Sequence, residues 1–171
     1  GKYWQTSHEV RLAVGDGPLK AQIGGYYFKE RSNIALFLNN LTVFGFAPNT
    51  RFGFPQNPTI SDNKSIFGQA TYEIAPSLKL TAGVRYSKDT KSRVGKTVLD
   101  TYDSVVDSYN IGNLLDRTVF DVNDARASWS KVTWRAGVDY DSALGLIYAS
   151  VATGYKSGGF NNGCEADGSA Q

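Results

Sequence analysis

Methionine is absent from the 171 residues, and cysteine and histidine occur once each, as Cys164 and His8. Without an initiating methionine, the chain is expected to be processed or to be an internal piece of something longer. One cysteine cannot close an internal disulfide or build a cysteine-based zinc site. One histidine leaves His8 as the sole base for any Ser-His-Asp triad. Its neighbour Glu9 points to the opposite side of a strand, so the two cannot chelate together. No metal site, no cofactor and no enzymatic activity are therefore expected. Charge of one sign is also in short supply: 18 Lys+Arg stand against 16 Asp+Glu, a net charge of +2. A nucleic-acid partner, which calls for a strong basic excess, is not expected. Long apolar runs are missing too; the longest, Ile34–Leu38, is far short of a membrane helix. Residues 1–10 contain no apolar stretch of a signal peptide. A membrane β-strand needs only about 10 alternating residues, so hydropathy leaves that route open.

Abundant instead are Gly (18), Tyr (10) and Phe (9), residues of turns and strands. Polarity alternates with period two in segments at about residues 6–14, 19–29, 65–74, 78–88, 129–140 and 146–156. The fourth is clearest. Leu80, Ala82, Val84 and Tyr86 fall on one side, and Lys79, Thr81, Arg85 and Ser87 on the other. The fifth sets Val132, Trp134, Ala136 and Val138 against Lys131, Thr133, Arg135 and Asp139. Turn signals at Gly15–Pro18, Ala75–Ser77 and Asp141–Gly145 join these segments in pairs. The stretches of about 30–64 and 89–128, rich in Asn, Pro, Gly or Asp, read as long loops. The fold class predicted is all-β, an antiparallel up-and-down meander of about six long strands.

Connections that alternate short and long put all short turns at one end of such a sheet and both long loops at the other. Outer-membrane barrels have this asymmetry. Tyr72, Tyr86, Tyr140 and Tyr155 stand near strand ends, where amphipathic rings suit a membrane–water interface. On this reading the apolar side meets lipid. Lys79, Arg85, Lys131, Arg135 and Asp139, with Gln69 and Glu73, face a lumen. A lysine or arginine on the lipid side costs about 2–4 kcal/mol at the midplane, which fixes the register. Such charges can hold an internal domain, guide an anionic ligand, or simply pair with each other and water. Phe44, Phe46, Phe52 and Phe54, with Arg51 among them, are candidates for ligand capture from a loop, or for packing that loop. Gly154–Ser157 lacks the spacing of a phosphate loop. Asp100, Asp103 and Asp107 are too widely spaced for an EF-hand.

The run WSKVTWRAGVDYDSALGLIYASVATGYKSGGFN (Trp129–Asn161) resembles the barrel strands of TonB-dependent outer-membrane receptors. The hairpins Ser65–Asp89 and Ser7–Glu30 resemble others of that family, in the same order. The most specific piece is GYKSGGFN (Gly154–Asn161). The resemblance implies a 22-stranded barrel with a plugged lumen, in the outer membrane of a Gram-negative bacterium. It implies partners: outer-membrane lipid, the remaining barrel strands and plug domain, the TonB complex, and a scarce substrate such as a ferric siderophore. Plug, TonB box and terminal aromatic residue do not occur in these residues. The whole chain, 1–171, is therefore expected to be a partial barrel. Cys164 is expected to pair beyond Gln171 or to remain a free thiol. Two other classes stay open: a passive porin-like or structural barrel, and a soluble secreted β-sandwich that binds a ligand.

Overall fold

The computed structural model describes residues 1–39, 41–103 and 114–160. Asp107, Asn161 and Cys164, on which expectations above rest, lie outside them. Alternating β-branched and aromatic residues build one antiparallel sheet. Its strands are β1 (Lys2–Val14), β2 (Leu19–Asn39), β3 (Thr50–Ala75), β4 (Leu78–Tyr102), β5 (Leu114–Val122), β6 (Ala125–Ser142) and β7 (Gly145–Ala152). A 3-10 turn, Leu41–Phe44, lies in the β2–β3 connection. The order is β1-β2-β3-β4-β6-β7, with β5 also on β4. β6 pairs the lower part of β4, Leu78–Arg93, and β5 pairs the upper part, Lys96–Tyr102. Together β5 and β6 form one line beside β4, broken at Asn123–Asp124. Gly95 stitches that break: its carbonyl accepts from the Asn123 amide at 2.8 Å, and its own amide donates to Asp124 at 3.1 Å. The meander is thus six strand-lines wide and open, with β1 and β7 at its edges.

The three short turns fall where the glycine and proline signals put them. Gly15 (φ 137°) and Gly145 (φ 127°) take up backbone that a side chain rarely tolerates. The long loops are a correction. Residues 30–64 mostly extend β2 and β3, and 89–128 mostly extend β4, β5 and β6. Proline and asparagine suggested loops, but the sheet takes two of the three prolines there at irregularities, while Pro48 lies between the strands. Pro55 lies where the β3–β4 ladder is interrupted, and Pro58 in the register shift between Gln56 and Thr59. The last strand is shorter than expected and stops at Ala152.

Strand length explains the geometry. The 26 residues of β3 reach about 86 Å at roughly 3.3 Å per residue, or some 60 Å of height at a 45° tilt. A barrel's apolar belt is only about 25 Å tall. The strands therefore overshoot a membrane, and their upper halves form a wall above it.

That belt is visible in the register. Ile23, Gly68, Val84 and Trp134 align across four strands, and so do Ala21, Ala70, Ala82 and Ala136. These apolar side chains are bare: Leu12 is 65 % exposed, Ile66 66 % and Val132 54 %. Among the described residues the buried hydrophobic set is only Leu41, Val98 and Tyr102. A soluble sandwich would cover such a face with a second layer, because contiguous apolar patches beyond a few hundred Å² are rare on soluble monomers. Among the described residues no second layer covers this face, the condition of a barrel exterior that meets lipid.

Candidate functional site

The opposite face carries the polar residues, and the ladders bring them into rows. Gln22 faces Gln69, Gln69 faces Gly83, and Gly83 faces Arg135. The Arg135 side chain extends over Gly83, where an added Cβ would lie 3.3 Å from its Cγ. These residues line a groove of ≈ 340 Å³, together with Arg85 and Thr133. One row up, Arg11 faces Gly24, Gly24 faces Phe67, and Phe67 faces Arg85.

That upper row is the most organised part of the face. Phe67 lies flat across Gly24, and a Cβ there would come within 2.5 Å of the ring. The guanidinium of Arg11 stands 5.8 Å from the Phe67 centroid and that of Arg85 stands 5.7 Å from it. Arg85 also lies 5.6 Å from the Tyr26 ring. Its NH2 donates to Ser65 at 2.6 Å and its Nε to Ser87 at 3.2 Å. Both serines are buried, so Arg85 is fixed in place. Glu9 pairs with Arg11. Arg11, Tyr26 and Phe67 were not singled out in the sequence. Their signal was there: an aromatic ring at a position that alternation assigns to the polar side.

The other predicted lumen residues share this face without joining the cluster. Lys79 stands opposite Asp139 but pairs with Asp141 at 3.5 Å. Lys131 and Arg135 are exposed, and Asp139 is half-buried. Of the predicted interface aromatics, Tyr72 and Tyr140 flank the lower edge of the apolar belt, and Tyr86 its upper edge. Tyr155 differs. The chain leaves the sheet after Ala152, and Tyr155 turns to the polar side beside Asp89. Lys91 follows suit by donating to the Gly158 carbonyl at 2.8 Å.

The predicted capture phenylalanines Phe44, Phe46, Phe52 and Phe54 do not gather around Arg51. Phe52 and Phe54 meet edge to face at 4.9 Å, while Phe44 and Phe46 stay exposed. Arg51 is buried and donates twice to Asp100, at 3.0 and 3.1 Å. Its guanidinium stacks 3.8 Å from the Phe37 ring and 4.7 Å from the Tyr102 ring. Arg117 donates to the same carboxylate at 2.6 and 3.0 Å. Burial alone would raise the Asp100 carboxyl. The hydrogen bonds and charges of Arg117 and Arg51 outweigh burial and hold it below the usual carboxylate range. This triad braces the wall, and it holds Arg51 buried against Asp100 rather than open to a ligand. The aspartate weighed as a calcium ligand is instead its anion.

The arrangement is a wall with one face for lipid and one face bearing fixed cations beside aromatic rings. A family model described as TonB dependent receptor-like, beta-barrel matches residues 1–164. No curated protein and no solved structure matches the chain.

Proposed function

We propose, from the premise that this chain belongs to the TonB-dependent receptor β-barrel family, that it walls the lumen through which a scarce, anionic substrate such as a ferric siderophore is taken up. Members of the family are receptors and transporters of the outer membrane. The observation that carries the finer reading is the inner-face row Arg11–Phe67–Arg85. It offers the positive charge of Arg85, held by Ser65 and Ser87, beside the π-faces of Phe67 and Tyr26, which suits an aromatic, acidic iron chelate. Arg135 and Lys131, exposed on the same face, extend that positive surface. Lys79 and Asp139 lie lower, toward the short turns, where they suit contact with a plug domain. Phe44 and Phe46, exposed at the upper end, are placed for first capture. Tyr72, Tyr86 and Tyr140 anchor the wall in lipid. Energy coupling comes through the TonB complex, which engages the plug.

The test is uptake of radiolabelled iron, presented as ferric siderophores, by iron-starved cells with and without the full-length gene. Loss of uptake on deletion, and again on collapse of the proton gradient, is expected. Uptake that survives collapse of the gradient would instead make the protein a passive channel. Arg85→Gln is expected to weaken substrate binding while leaving the protein in the membrane.

A further inference from the structure

The chain leaves the sheet just after β7, and the last rung is half-made. The Thr153 amide donates to the Trp134 carbonyl at 2.9 Å, but the Trp134 amide donates to the Thr153 hydroxyl at 2.8 Å instead of closing the ladder. Residues 154–160 then run as a strap over the polar face of β4 and β6. Gly158 lies on the Trp129 ring, where an added Cβ would meet it at 2.5 Å. The Lys91 Nζ donates to the Gly158 carbonyl at 2.8 Å. Phe160 packs 6.3 Å from the Trp129 ring and 5.4 Å from the Arg93 guanidinium. Along β4, Asp89 to Arg93 stand about 13 to 26 Å above Arg85. The strap therefore crosses the inner face between the upper end and the Arg11–Phe67–Arg85 row.

Three observations give this strap a second seat. Residues 125–133 of β6 pair β4 on one side, and among the described residues no strand pairs their other side. Such an open edge is a template for a further strand. Continuing the β6–β7 register from the Arg135–Ala152 pair would lay residues 154–160 along that edge. Tyr155 would then stand opposite Val132, Lys156 opposite Lys131 and Gly158 opposite Trp129. This is the outward position for Tyr155 that its alternation predicts. Finally, the present seat of Tyr155 is imperfect. Its hydroxyl is shut off from solvent beside Asp89 without a well-formed hydrogen bond, and a buried hydroxyl left so is costly.

We propose that residues 153–160 are a two-position element: a strap across the inner face in the empty protein, and an upward extension of β7 when an anionic ligand sits on Arg85. The proposal rests on the substrate class given above. In the extended position Lys156 faces Lys131, which itself faces Ser87, one inward position above Arg85. Two lysines directly opposite each other in a ladder repel, so without an anion the strap prevails. An anion held by Arg85 and reaching both lysines removes that repulsion and gains Lys156 as a contact. This is the differential affinity that a ligand needs in order to shift two states.

The experiment uses the full-length protein in outer-membrane vesicles, with Cys164→Ser to remove the native thiol. Ser130→Cys and Ser157→Cys form the reporter pair. In the extension they stand opposite each other, about 5.5 Å apart at Cα and within reach of a disulfide; in the strap the sheet lies between them. Copper phenanthroline is the oxidant, and the ferric complex of dihydroxybenzoate is the anionic probe. The probe should speed crosslinking about fivefold or more, the low end of a coupled equilibrium. Adding Lys156→Gln should abolish that gain. Lys91→Ala, which removes the strap's anchor, should speed crosslinking with no probe present. A pair that never crosslinks, even with Lys91→Ala, overturns the second position. Crosslinking that a bound probe leaves unchanged overturns the coupling, and a full gain retained in Lys156→Gln overturns the role of that lysine. If heat-modifiable mobility shows the cysteine variant unfolded, trypsin reads the same change in wild type. Cleavage after Lys156, which is exposed in the strap, should slow about fivefold with the probe, and unchanged cleavage overturns the proposal. A probe that fails to bind wild type in equilibrium dialysis overturns the substrate class instead, and Lys91→Ala still decides whether the second position exists.

Discussion

Within the single strand β4, Leu80–Tyr86 and Val94–Tyr102 are built on different principles. In the lower segment the outward side chains Leu80, Val84 and Tyr86 are 42 %, 53 % and 42 % exposed, and nothing of the protein packs on them. In the upper segment Val98 and Asp100 continue the same alternation, yet both are 0 % exposed. The lower half is solvated by lipid, which supplies the apolar environment a core would otherwise provide. The upper half stands in water on both faces and must make its own interior. It does so with Arg51, Asp100 and Arg117, with Phe37 and Tyr102 stacked on Arg51, and with bulges that break strict alternation.

The sharpest way to break this comparison is Asp100→Ala. It leaves the buried Arg51 uncompensated, and loss of one partner of a buried pair costs about 3–5 kcal/mol. Arg117 is part-exposed, so the low end is expected. Hydrogen exchange should rise in the upper parts of β3, β4 and β5 while the ladders around Val84 stay protected. Acid should act in the same place. The folded-state pKa of Asp100 is depressed, so its stabilisation is present above the unfolded value of 3.8 and is lost as pH falls through the folded value. Protection of the upper wall should therefore fall below about pH 4 in the wild type and be insensitive to pH in Asp100→Ala.

Next in size is a charge moved between faces of the lower half. Val84→Arg should cost about 2–4 kcal/mol, near the middle of the belt, whereas Thr81→Arg, on the polar face, should cost close to nothing. Urea unfolding in phospholipid vesicles reads both. Equal costs would mean that the face assigned to lipid is not in lipid. The smallest effect is Gly24→Ala. Its Cβ would meet the Phe67 ring at 2.5 Å and the Val10 carbonyl at 2.8 Å, an overpacking cost of about 1–3 kcal/mol. It should free Arg85 from the ring and lower substrate affinity without disturbing the belt, as uptake and membrane location together would show.

The same contrast explains what could be read from the residues alone. Lipid enforces period-two alternation, so the lower halves of the strands, their three short turns and the polar assignments of Lys79, Arg85, Lys131 and Arg135 were legible. Above the belt, water tolerates either polarity on either face. Ile34, Leu36 and Leu38 do alternate, but Asn and Pro nearby outweighed them. Arg51 looked like a free cation in an aromatic loop because its partner Asp100 is 49 residues away. Only the β3–β4 register places them opposite each other. Tyr155 was assigned outward by extending alternation past Ala152, where the strand has already ended.

The β3–β4 hairpin turns on Pro76 and Ser77, with its first rung at Ala75 and Leu78 and its last at Thr50 and Thr101. Closing the first rung loops out almost nothing, while the last spans some fifty residues, so pairing zips upward from the turn. Outer-membrane barrels keep their short turns on the periplasmic side and their long loops outside. On the proposed reading, with the short turns of this wall periplasmic, Arg51 and Asp100 cross the thickness in which Val84 comes to rest. Order of closure and order of crossing are therefore opposed: the rungs that form first travel least, and the polar rungs that form last travel farthest.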